Sequence, residues 1–289
     1  MRWLLVLVLA LSLALALAVL AACGAKPQCP VAPTAPAIKG PPFLWKAHKG
    51  GDVVWLYGTI HDAGLDAVPK AALDALGASP RLVSELGEQT PDRDDFREHA
   101  RIKSGPGIDQ QLSTDDWYDL RDSLIGKIKE DDLRRAKPWY AMSLLTTYMA
   151  PSPGPSMDVQ LAERAQDRKQ PIEHLETWVE QLTALETAVD IDDLREAIRA
   201  RQTMKCDLGR LRTSYEAGDI EAMKALLVVP KTEAIMLTGR NHKWLPAIEA
   251  YFPKGGAFVA VGLGHLLGDN GLVVLLQRAG YTVERVAER

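Results

Sequence analysis

Val53-Val54-Trp55-Leu56-Tyr57, running into Gly58-Thr59-Ile60-His61, is the stretch on which the reading of the fold turns. Five apolar residues in succession, β-branched and aromatic among them, suit a strand buried on both faces, as in a parallel sheet. A glycine then lets the chain turn sharply and pass close to a ligand, because it has no Cβ. The pattern returns near the C-terminus as Ala257-Phe258-Val259-Ala260-Val261, followed by Gly262-Leu263-Gly264-His265. Two apolar strands that each end in glycine, two residues and histidine suggest two similar half-folds, with His61 and His265 facing each other.

Two further runs lie between them. Arg81-Leu82-Val83-Ser84 leads to Glu85, and Pro171-Ile172-Glu173-His174-Leu175 leads to Glu176. Helical patterns follow the four strands at 69–76, beyond Gly87, at 177–188 and at 271–279, the last with Asp269 and Asn270 as candidate caps. A closing strand is expected at 281–286. The alternation predicts one α/β domain over 43–289, with a central, largely parallel sheet flanked by helices. The stretch from about 105 to 170 reads as a helical insertion, clearest at 117–129 and 139–149, and 192–251 is also helix-rich. Ligands of open parallel sheets bind at the carboxyl ends of the strands. His61, Glu85, Glu176 and His265 would therefore emerge at one edge.

The composition is that of a globular protein, 47% hydrophobic and 25% charged, which excludes disordered and collagen-like classes. A net charge of −4 without a long basic run gives no footprint for a phosphate backbone, so no nucleic-acid partner is expected. Three cysteines exclude a four-cysteine zinc site and a disulfide scaffold. Cys29 and Cys206 could pair in an oxidising compartment or remain free thiols. There is no Gly-x-Ser-x-Gly elbow, no His-Glu-x-x-His and no Cys-x-x-Cys.

Residues 1–22 carry one charge, Arg2, ahead of an unbroken apolar run ending in Leu20-Ala21-Ala22-Cys23-Gly24. Such a run is a secretory signal or an N-terminal anchor. Its end resembles the bacterial lipobox, which implies a signal peptide at 1–22 and a lipid on Cys23. No aspartate follows Cys23, and by the same resemblance this favours the outer membrane over the inner membrane of a bacterial envelope. Residues 23–42 hold Pro27, Pro30, Pro33, Pro36, Pro41 and Pro42, the composition of a semi-extended tether.

At the strand ends the chain resembles the TraB/GumN family, which includes the Tiki metalloproteases and relatives of conjugation pheromone-control proteins. The resemblance rests on Gly58-Thr59-Ile60-His61, Val83-Ser84-Glu85-Leu86, Leu175-Glu176-Thr177 with Glu180-Gln181, Thr238-Gly239-Arg240-Asn241 with Trp244, and the block from Gly262 to Tyr281 containing His265. It implies an α/β fold akin to the erythromycin-esterase and ChaN-like group. Through the Tiki branch it implies peptide hydrolysis dependent on a divalent metal such as manganese, cobalt or zinc.

On that reading His61 and His265 are metal ligands through neutral imidazole nitrogens, or else cap their strands by hydrogen bonding. Glu85 is a third ligand or the general base acting on metal-bound water. Glu176 orients a ligand or places charge at a helix N-terminus. Arg240 holds a substrate carboxylate or a developing oxyanion. Asp62 is a spare ligand, His174 a packed strand residue, and the tryptophans core. The expected function is an envelope-anchored, metal-dependent hydrolase of peptides or proteins. The alternative is a lipoprotein that binds a peptide or haem without chemistry.

Overall fold

The computed structural model describes residues 39–87, 93–152 and 154–287. The signal-like segment, Cys23, Cys29 and the tether up to residue 38 lie outside them. All the described residues belong to one compact unit.

Six strands form one sheet: β1 Leu44–Lys49, β2 Asp52–Thr59, β3 Leu82–Leu86, β4 Ile172–Glu176, β5 Ala257–Gly262 and β6 Thr282–Arg285, in the order β4-β3-β5-β2-β1-β6. The pairs β3–β4, β3–β5 and β2–β5 are parallel, while β1 is antiparallel to both β2 and β6. β1 is thus the one strand that runs against the others. It was not read from the sequence, because Lys46, His48 and Lys49 interrupt its apolar pattern. Gly50, at φ 74°, turns it into a hairpin with β2.

The register pairs Gly58 with Val261 and Thr59 with Gly262, so the two glycine turns lie side by side. A Cβ on Gly58 would stand 2.5 Å from Leu263 Cδ1, so any larger residue here would displace the Leu263 side chain between the two strand ends. Both halves continue alike. β2 is followed by a 3₁₀ turn at Leu65–Ala67, the helix Lys70–Ala78 and β3; β5 by a 3₁₀ turn at Leu263–Leu266, the helix Leu272–Arg278 and β6. The cap of the last helix is Gly271 rather than Asp269 or Asn270, with no side-chain hydrogen bond.

The helix-rich stretch at 105–170 divides in two. Ile108, Leu120, Leu133 and Leu145 form a separate core with Leu194 and Ile198. The helix Met157–Asp167 instead buries Met157, Leu161 and Ala165 in the core of the sheet. The pattern at 117–129 is a helix over Thr114–Ser123, capped by Ser113, and then a turn at Gly126 (φ 73°). The end of the tether is fixed to the domain: Gly40 N donates to Glu216 O, and Arg285 donates to the carbonyls of Pro41 and Pro42. Cys206 is buried and disulfide-bonded. The chain's other two cysteines, and with them the choice between a paired Cys29 and a free Cys29 thiol, lie outside the described residues. Among the described residues no helix is long and apolar enough to cross a membrane.

Candidate functional site

The four strand ends do converge on one edge, and Arg240 joins them there. This arginine lies on the helix Gly239–Glu249, which continues directly from a π-helical turn at Ala234–Thr238. Its guanidinium has five N–H donors, and each has a partner. Nε donates to Glu176 Oε2 at 2.9 Å, and Nη2 to Glu176 Oε1 at 2.5 Å and Glu85 Oε2 at 3.0 Å. Nη1 donates to the Met236 carbonyl at 2.9 Å and meets His265 Nε2 at 3.0 Å. The other oxygen of Glu85 accepts from Gly262 N at 2.5 Å. A Cβ on Gly262 would lie 3.1 Å from that carboxylate, so this glycine makes room for it.

The network sets the tautomer of His265. Asn241 Nδ2 donates to the carbonyls of His265 and Asn270, so Asn241 Oδ1 faces His265 Nδ1 at 2.7 Å and must accept from it. Nε2 is left with its lone pair towards Arg240. The ring lies 4.4 Å, centroid to centroid, from Trp244 and is 3% exposed. Burial, reinforced by the charge of Arg240, pulls its pKa down to about 4, so the imidazole is neutral. Burial pushes Glu85 up, but the adjacent His265 imidazole, then the charge of Arg240 and the Gly262 N–H, outweigh it and hold the carboxylate below its usual range. Glu176 is raised by its burial, and the bonds from Arg240 offset that only in part.

His61 is held differently. Its Nδ1 is 2.9 Å from Asp158 Oδ2, and Asp158 Oδ1 accepts from Thr59 Oγ1 at 2.6 Å. The bond to Asp158 pushes the His61 pKa up to about 9, although its side chain is 76% exposed. Burial pushes Asp158 up, and the His61 and Thr59 bonds bring it below its usual range. Asp158 has no role in the sequence reading; Asn241 and Trp244 stand in the Arg240 motif, Trp244 as core, without a part in the chemistry.

Asp62 does not join the cluster; it pairs with Arg212, 3.8 Å away. His174 is exposed rather than packed, and its Nδ1 lies 3.0 Å from Ser84 Oγ. Beside His61 and Glu85 a cavity of about 460 Å³ opens between the helix Met157–Asp167 and the start of the helix Trp178–Ala188.

Among the described residues no three His, Cys, Asp or Glu side chains stand together closely enough to hold a metal ion. The donor set nonetheless fits a divalent ion in kind. Both imidazoles are anchored through Nδ1 on a side-chain oxygen, the arrangement common for metal-ligating histidines, and Glu85 Oε1 lies 3.7 Å from His265 Nε2. Arg240 Nη1 and such an ion are alternative partners for His265 Nε2.

Residues 43–285 match the TraB/PrgY/gumN family. No curated protein and no solved structure matches the chain. With nearly the whole described domain covered, from β1 through β6, the chain belongs to the TraB/PrgY/gumN family.

Proposed function

We propose that this protein is a hydrolase of peptide or protein substrates that works with a divalent metal ion and is held at the bacterial envelope by a lipid on Cys23. The observation that carries the reading is the paired anchoring of His61 and His265 through Nδ1, at the ends of adjacent parallel strands, with Glu85 alongside. His61, His265 and Glu85 are the residues that would hold the ion. Bound there, it would supply a Lewis acid and a water of lowered pKa.

The chain's own groups provide positioning and proton management. Asp158 orients His61, and Asn241 orients His265. Arg240 aligns Glu85 and screens the charge of Glu176. With all five donors committed inside the protein, Arg240 acts on the site by positioning these groups. Without an ion on His265 Nε2 the same commitment favours a second reading, in which the site binds a peptide or haem without turnover, since no guanidinium N–H is then left for a developing oxyanion.

The test is metal content after loading with manganese, cobalt or zinc, together with cleavage of a peptide library, for the wild type and for His61→Ala/His265→Ala. Stoichiometric metal and cleavage, both lost in the variant, support the hydrolase. Absence of metal from both forms overturns it, and a haem absorption band would then favour the binding reading. Loss of membrane association in Cys23→Ser tests the lipid anchor.

A further inference from the structure

We propose that the cavity beside His61 and Glu85 is a subsite for an apolar side chain of an extended peptide, in which Trp178 Nε1–H is the donor for a peptide carbonyl. The cut bond itself rests on the hydrolase reading, but binding in the cavity does not. At about 460 Å³ the cavity is in the range of ligand-binding clefts and exceeds a single aromatic side chain. Leu86 comes from the carboxyl end of β3, Ile172 from the start of β4, and Val159 and Ala162 from the facing helix, so the walls are mainly apolar.

The charged groups on the lining have one sign apart from the histidines. Glu85, Asp158 and Glu163 line the cavity, and neither lysine nor arginine does. Glu85 and Asp158 are neutralised by Arg240 and His61, whereas Glu163 is exposed on the rim. An anionic side chain would meet repulsion without a counter-charge, while an aliphatic or aromatic one would exchange water for an apolar wall.

Trp178 supplies the polar contact. It lines the cavity, and its Nε1 is buried with no hydrogen-bond partner. A buried N–H without an acceptor is destabilising, and a ligand carbonyl that draws the indole N–H round towards the cavity relieves it. A peptide offers such carbonyls at every residue, next to the side chain that fills the pocket. The adjacency to His61 and Glu85 puts the neighbouring peptide bond beside the anchored imidazole.

The experiment is calorimetric titration with four N-acetylated, C-amidated pentapeptides identical except for a central Leu, Phe, Lys or Asp. The Leu and Phe peptides should bind at least about tenfold tighter than the Asp peptide. Ala162→Phe, which fills the cavity, should abolish that preference. Trp178→Phe keeps a ring and deletes the N–H, and should weaken the Leu and Phe peptides severalfold while leaving the thermal melt in place. Equal binding of the Leu and Asp peptides, or unchanged binding in both variants, overturns the proposal. If Ala162→Phe does not fold, Trp178→Phe and the side-chain series decide. Selective binding without cleavage keeps the subsite and sinks the hydrolase reading, while cleavage indifferent to the central residue does the reverse.

Discussion

Asn241 and His265 form a closed pair: Oδ1 of the amide accepts from Nδ1 of the imidazole at 2.7 Å, while Nδ2 donates to the histidine's own carbonyl at 3.1 Å. Asn241→Leu would leave a buried N–H and two carbonyls unpaired, and should cost at least about 1–3 kcal/mol in urea denaturation. Asn241→Asp keeps the acceptor and adds a negative charge, so the His265 pKa should rise above its value of about 4 in an NMR titration. An unchanged value would show that Asn241 does not set the state of this ring.

The two histidines give stability opposite dependences on pH. His265 is depressed to about 4 in the fold against 6.5 when free, so the unfolded chain binds the extra proton, and stability falls as pH drops from 6.5 through 4, by about 3 kcal/mol at most. His61 is raised to about 9, so its contribution is complete below 6.5 and is lost as pH rises through 9. Its exposure makes that arm the smaller one. The two arms together give a crest near pH 6.5. Asp158→Asn should flatten the alkaline arm alone, as urea midpoints over a pH series would show.

Metal binding should be coupled to proton release. A ligand imidazole must be neutral, and His61 carries a proton until about pH 9. Affinity for manganese or zinc should therefore rise about tenfold per pH unit between 7 and 9, with close to one proton released per ion in calorimetry across buffers of different ionisation enthalpy. A flat profile would remove His61 from the ligand set.

The Arg240–Glu176 pair is deeply buried, with side chains 10% and 2% exposed. Arg240→Met strands two carboxylates and should cost about 3–5 kcal/mol, whereas Arg240→Met/Glu176→Met should recover part of that loss. A double variant less stable than the single one would contradict the description of Glu176 as held by this arginine.

His61, Glu85, Glu176 and His265 could be picked out of the sequence because each directly follows or ends an apolar run, and strand ends of a parallel sheet share an edge. β2 through β5 were legible for the same reason. β1 was not, because it borrows its apolar face from alternating positions between lysines and a histidine. Asp158 was hidden for a different cause: it stands two residues after the cap Ser156, where an acid ordinarily serves the helix terminus, and nothing local reveals that β2 ends across from it. Trp244 read as core, which it is, but the ring it packs on is His265, a relation made across two elements that no spacing encodes.

The π turn at Ala234–Thr238 sets the winding of the helix that follows it. There Gly239 N bonds back to Ala234 O across five residues, so the segment carries one residue more than an α-helix would need, and the Met236 carbonyl accepts from Arg240 Nη1. Such turns arise as single-residue insertions in helices and often mark functional sites. Excising one residue from it would restore regular winding and swing Arg240 and Asn241 together by about 100° relative to the preceding helix. The cation that binds Glu85 and Glu176 and the amide that fixes His265 would turn away from the sheet in one step. A single codon's length thus separates a helix that merely packs here from one that assembles the site.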